Sequence, residues 1–198
     1  HHQRALAGNP KLVWYLARRF RLPRDITGLA YLSQVHQAEA VRIAVEHWRR
    51  RPEITSGALY WQLNDCWPAI SWASIDYFGR WKALHYAARR FFAPVQLSIE
   101  EDPAGPAAAV WLSNDSRSAW HGEMRWTLET LDGTVLEGGE QAVDAGPSSV
   151  SCLLRKDFSE SKRKIDRRRT VFTAGLWQNG AQAALQVAVF APEKDMAL

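Results

Sequence analysis

The chain has 198 residues, 46% hydrophobic and 23% charged, which is globular stock, enough for one large domain or two small ones, and excludes intrinsic disorder. No run approaches the ~20 apolar residues that a bilayer-spanning helix needs, so no membrane span is expected. The net charge of +4 has one source: residues 155–169 carry eight Lys or Arg against three acids. Only Phe158 is interleaved with them, so the run reads as a solvated loop between strands and not as a nucleic-acid site.

In chain order, Asn9 or Pro10 opens a helix with Leu12, Val13, Leu16 and Phe20 at helical spacing, closed by Pro23. Asp25 or Thr27 offers the next start signal. Val35, Ala38, Val41, Val45 and Trp48 then step by three or four, so 26–51 reads as a long helix whose basic end suits the dipole, and Pro52 ends it. On this helix His36 and His47 have no metal-spaced partner and read as solvent-facing or satisfied.

The run GALYWQLNDCW, 57–67, follows. Leu59, Trp61 and Leu63 alternate with Tyr60, Gln62 and Asn64, the period of a strand, and both faces are apolar, as in a strand covered on two sides. Trp81, Leu84, Ala88 and Phe91 mark a further amphipathic helix over 79–92. Pro94 and the acids, Gly and prolines of 100–106 read as a linker. Beyond it strands are expected at 108–112, 123–130, 134–137, 149–154, 171–177 and 184–190, with tight turns at Asp132-Gly133 and Asn179-Gly180. Six short strands argue for an antiparallel sandwich of immunoglobulin type. Cys66 and Cys152 lack a CxxC partner or a His at metal spacing, so no metal site is expected and free thiols are the favoured reading over a disulfide. Most of the ten Trp are expected in the core.

The segments 55–68 (TSGALYWQLNDCWP), 71–95 (SWASIDYFGRWKALHYAARRFFAPV) and 31–40 (YLSQVHQAEA), with weaker echoes at 1–4 and 190–198, resemble the β-mannosidases among the multidomain retaining β-glycosidases. The resemblance implies the C-terminal portion of a (β/α)8 TIM barrel over 1–95, followed by an immunoglobulin-like β-sandwich over 107–198. It implies an α/β plus all-β chain that acts on terminal β-D-mannose in β-mannosides as part of a longer enzyme. A first residue other than Met fits a truncated sequence. No cofactor motif is present, and the implied partners are carbohydrate and the rest of the same enzyme.

A retaining glycosidase needs two carboxyl groups ~5–5.5 Å apart. Of Glu39, Glu46, Glu53, Asp65, Asp76 and Glu100, Glu39 and Glu46 lie on a helix where exposed carboxylates are the norm, and only Asp65 falls where a barrel enzyme acts. One acid is not a pair, and in the resembling family both catalytic glutamates lie on earlier strands, so neither role is assigned here. The resemblance places Trp61 in the wall of the sugar pocket, against a barrel-core alternative. Asn64 is the second candidate contact, against a turn-forming role. Gln62, Asp65 and Trp67 are weaker candidates, and Trp72, Tyr77, Trp81 and His85 are read as packing. A different class of function, a non-catalytic carbohydrate-binding module, would use exposed aromatics of the sandwich, with Trp111, Trp120 and Trp126 as candidates.

Overall fold

The computed structural model describes residues 5–102, 105–159 and 165–197; the echoes at 1–4, part of the expected linker (103–104), the middle of the basic run (160–164) and Leu198 lie outside the described residues. The chain forms two compact units. The first ends at Phe92 and the second begins at Ala93, except that Arg50–Pro52 belong with the second.

The first unit holds three helices: α1 (Gly8–Arg19), α2 (Ile26–Arg49) and α3 (Ala83–Phe91). Asp25 caps α2, its carboxylate accepting the Gly28 amide hydrogen at 2.7 Å. The apolar stripes meet as their spacing requires: Ala38 and Val45 of α2 and Leu84, Ala87, Ala88 and Phe91 of α3 make one core, with Val41, Ala58 and Tyr60 packed against it. Leu16 is the buried residue of α1, while Val13 is exposed.

Among the described residues of the first unit no barrel strand is present. Residues 57–67, expected as a strand, carry only an isolated parallel bridge from Asn64 to Ile75. The two-residue period is nevertheless real: Ala58, Tyr60 and Gln62 are partly buried while Leu59 (97%) and Trp61 (74%) are exposed and Leu63 with them. A parallel strand is held by ladders on its flanks, and this chain supplies none. The run is therefore a loop with one covered face, and the C-terminal barrel portion expected over 1–95 is absent as a barrel.

The second unit is all β: β1 (Val95–Glu101), β2 (Ala107–Asn114), β3 (Trp120–Thr130), β4 (Val135–Ala145), β5 (Ser149–Asp157), β6 (Thr170–Gln178) and β7 (Ala181–Val189). They form antiparallel sheets ordered β1-β2-β5 and β4-β3-β6-β7, an immunoglobulin-like sandwich. Inward residues of both sheets, among them Leu97, Val110, Leu112, Met124, Trp126, Leu128, Phe172 and Leu176, fill one core. The β6–β7 turn has positive φ at Asn179 (52°) and Gly180 (77°), as a two-residue hairpin turn requires.

Two expectations change here. The strand β1 runs into the expected linker, taking up Glu100 and Glu101: it pairs with β2 from Val95↔Asn114 to Glu101↔Ala108, because Val95, Leu97 and Ile99 alternate into the core. The basic run is not one solvated loop. Arg155 and Lys156 lie on β5, with Arg155 over the Trp111 ring and Lys156 bonded to Glu137 at 2.5 Å. Further along the run, Arg167 Nε donates to Phe190 O (2.8 Å) and Arg168 Nε to Asp195 O (2.7 Å). Both cysteine thiols are free and exposed, so neither sits in packed surroundings.

Candidate functional site

Between Tyr60 and His85 the chain folds back on itself around one buried hydroxyl. Ser74 is fully buried. Its Oγ donates to Leu63 O at 2.9 Å and lies 2.9 Å from Tyr60 Oη and 3.1 Å from His85 Nδ1. The backbone adds to this: Ser74 N donates to Gln62 O and Leu63 O, Ile75 N to Leu63 O (2.8 Å), Asp65 N to Ile75 O and Lys82 N to Ser74 O. Helix α2 reaches the same region through Gln37 Nε2, which donates to Trp72 O at 2.8 Å.

This mesh presents Trp61 to solvent. The Trp61–Gln62 peptide bond is cis. Asn64 is exposed, its amide donating to Asp65 O and its own carbonyl accepting from Gln62 Nε2. Trp61 and Asn64 therefore sit three residues apart on one accessible loop. Trp67, Trp72, Tyr77, Phe78 and Trp81, further along the same segment, are exposed as well, although Tyr77 meets Phe78 edge-on and Trp81 contacts His85 and Tyr86. Trp81 and Tyr77 were expected as packing residues. Trp81 lies tilted against the His85 ring at 4.4 Å between centroids yet remains 46% exposed.

The acids are committed to partners. Asp65 is buried and bonds Lys82 Nζ at 2.7 Å, with Ser71 Oγ donating to its other oxygen. Asp76 closes the 76–80 turn, accepting the Phe78 and Arg80 amides at 2.9 Å and the Arg80 guanidinium at 2.6 Å. Although desolvation pushes its pKa up, those bonds hold it below the ordinary carboxylate range. Glu39 and Glu46, expected to be exposed, flank Arg42, and Glu46 is only 1% exposed with its carboxylate 2.6 Å from Arg42 Nη1. Burial alone would raise Glu39, but the Arg42 bonds and charge, with Arg19 and His36, lower it.

Ser74 next to His85 has the outline of a nucleophile and its base. Its hydroxyl is sealed from solvent and spent on a backbone carbonyl, which rules out attack on a substrate. Sequence reasoning passed over Ser74 and Tyr60 because their partners are eleven and fourteen residues away and no motif spacing links them. In the sandwich, Trp120 and Trp126 are buried in the core. Trp111 donates to Glu100 Oε2 at 3.1 Å beneath Arg155, so none of the three is a free aromatic platform. Among the described residues no three His, Cys, Asp or Glu come together as metal ligands, and no helix is long and apolar enough to cross a membrane.

Residues 107–195 match the family model described as Mannosidase Ig/CBM-like domain. The β-mannosidase of Capra hircus is 46% identical over 108 residues, 48% of this chain and 12% of that protein. β-Mannosidase B of Aspergillus clavatus is 38% identical over 204 residues, 94% of this chain and 24% of that protein. The crystal structure of the β-D-mannosidase from Dictyoglomus thermophilum superposes with a TM-score of 0.91 at 28% identity, covering 100% of this chain and 24% of that one. The chain thus spans about a quarter or less of the length of these relatives.

Proposed function

We propose that this chain, a relative of the β-mannosidases along nearly all of its length, is the C-terminal part of a longer glycoside hydrolase that removes terminal β-D-mannose from β-mannosides with retention of configuration. The observation that carries the reading is the whole-chain superposition on a β-D-mannosidase at a TM-score of 0.91. The exposed Leu59 and Leu63 agree with it, since uncovered apolar side chains beside a candidate ligand contact suit a surface that another part of a protein meets.

In this reading residues 1–95 serve the catalytic domain, whose barrel the rest of the enzyme forms, and residues 107–198 are the immunoglobulin-like sandwich. Both reacting carboxyl groups lie upstream, which agrees with the ion-paired state of Asp65, Asp76, Glu39 and Glu46 here. Trp61 offers its indole face to the apolar face of the sugar ring, and Asn64 offers an amide to its hydroxyls. No metal or other cofactor is assigned a role.

The test is kinetic. In the intact enzyme Trp61→Ala should lower turnover of an aryl β-mannoside on the order of 100-fold while the protein still folds, because a misplacement of ~1 Å costs about that much. Trp177→Ala, in the sandwich, should act only through stability. Robust hydrolysis by the 198-residue chain alone, or unchanged kinetics for folded Trp61→Ala, would refute the reading.

A further inference from the structure

We infer that Tyr60, Ser74 and His85 are positioning residues that aim Trp61, with His85 held as the Nδ1–H form; the inference rests on the sugar-contact reading of Trp61. Leu63 O accepts Ser74 Oγ at 2.9 Å, and a carbonyl can only accept. A serine hydroxyl has one hydrogen, and this bond uses it. With the serine hydrogen on Leu63 O, and Ser74 N shared with Gln62 O, Tyr60 Oη at 2.9 Å and His85 Nδ1 at 3.1 Å are the donors to Ser74 Oγ, filling its two lone pairs. His85 therefore carries its proton on Nδ1, whether neutral or cationic, and the opposite tautomer would set two acceptors against each other inside a sealed site.

The direction of these bonds converges on one peptide segment. Tyr60 and His85 hold Ser74, Ser74 holds Leu63 O, and the amides of Ser74 and Ile75 hold the same carbonyl while Ser74 N also holds Gln62 O. The two carbonyls that follow Trp61 are thereby pinned from α3, from the 74–75 segment and from Tyr60. Trp61 itself is 74% exposed and has little packing of its own to fix it, so the aim of its indole comes from this network. Chains of satisfied polar groups rigidify in this way, and a partly satisfied one does not.

The experiment has two arms. In the 198-residue chain, ¹⁵N NMR of the histidine rings should show His85 protonated at Nδ1; an Nε2–H tautomer overturns the inference. In the intact enzyme, Tyr60→Phe and His85→Leu should each lower kcat on the order of 10-fold with KM nearly unchanged, as partial loosening of an aimed group predicts. His85→Asn, whose amide nitrogen can donate from near the Nδ1 position, should recover most of that loss. Tyr60→Phe keeps the ring that stacks on Phe92, so the arm survives if His85→Leu fails to fold. Impaired Trp61→Ala beside unchanged Tyr60→Phe and His85→Leu overturns the positioning role alone. Unchanged Trp61→Ala overturns the sugar contact and the positioning role with it.

Discussion

Asp65 and Lys82 meet at 2.7 Å with almost no solvent around either side chain, and what each would do alone is the measure of the pair. Removing one partner of a buried ion pair strands the other charge at a cost of about 3–5 kcal/mol. Lys82→Ala should therefore lose about that much stability in urea unfolding, while Arg80→Ala, whose partner Asp76 sits in a solvent-exposed turn, should leave the midpoint nearly unchanged. Glu39 gives a pH signature. Its pKa is depressed below the ordinary value of about 4.5, so the unfolded chain binds its proton more readily than the folded one. The stability it contributes is present above about pH 4.5 and lost as pH falls through the lower folded value. Glu39→Gln should flatten that part of an acid-unfolding curve. From the sequence Asp65 could be placed at the active end of the run, but Lys82 could not be foreseen as its partner, because sixteen residues of irregular chain separate them. The exposure of Trp61 was legible only as a possibility, since both faces of 57–67 are apolar and nothing local says which one the chain itself covers.

At the level of elements, the three helices and six of the seven strands among the described residues could be read from period and punctuation, most ends shifting by a few residues while β4, expected over 134–137, runs on to Ala145. The turn at Asn179-Gly180 is the sharpest example: Gly180 has φ 77°, a region that costs other residues about 1–2 kcal/mol. Gly180→Ala should lower the stability of the sandwich by about 1 kcal/mol in thermal unfolding. Strand β1 was overlooked because Glu100, Glu101 and the prolines that follow have linker composition, although Val95, Leu97 and Ile99 alternate. Composition describes what solvent meets, whereas alternation describes what the core takes up, and at this edge strand the two disagree. The reverse happened at 57–67, where alternation is present and a ladder is not. Periodicity reports that one face is covered, but hydrogen bonds need a neighbouring strand to receive them.

For the whole molecule, the division at Phe92 and Ala93 has a direct test. A fragment spanning 93–198 should fold cooperatively. One spanning 107–198 should lose Leu97 and Ile99 from the core, each worth about 1.5–3 kcal/mol when buried, and should melt at markedly lower temperature in calorimetry. Equal melting of the two fragments would contradict this.

The arginine contacts at the end of the basic run also set how the sandwich bears load. Arg167 grips Phe190 O, Arg168 grips Asp195 O, and Ala197 N returns a bond to Arg168 O, so the segment after β7 is riveted to the turn before β6. A pull on the C-terminus reaches these guanidinium clamps before it reaches the β6–β7 ladder. Arg168→Ala should lower the force of the first rupture in an optical trap without changing the contour released when the sheet itself opens. The end of the run that its charge marked as a solvated loop is, in mechanical terms, an anchor for the segment after β7.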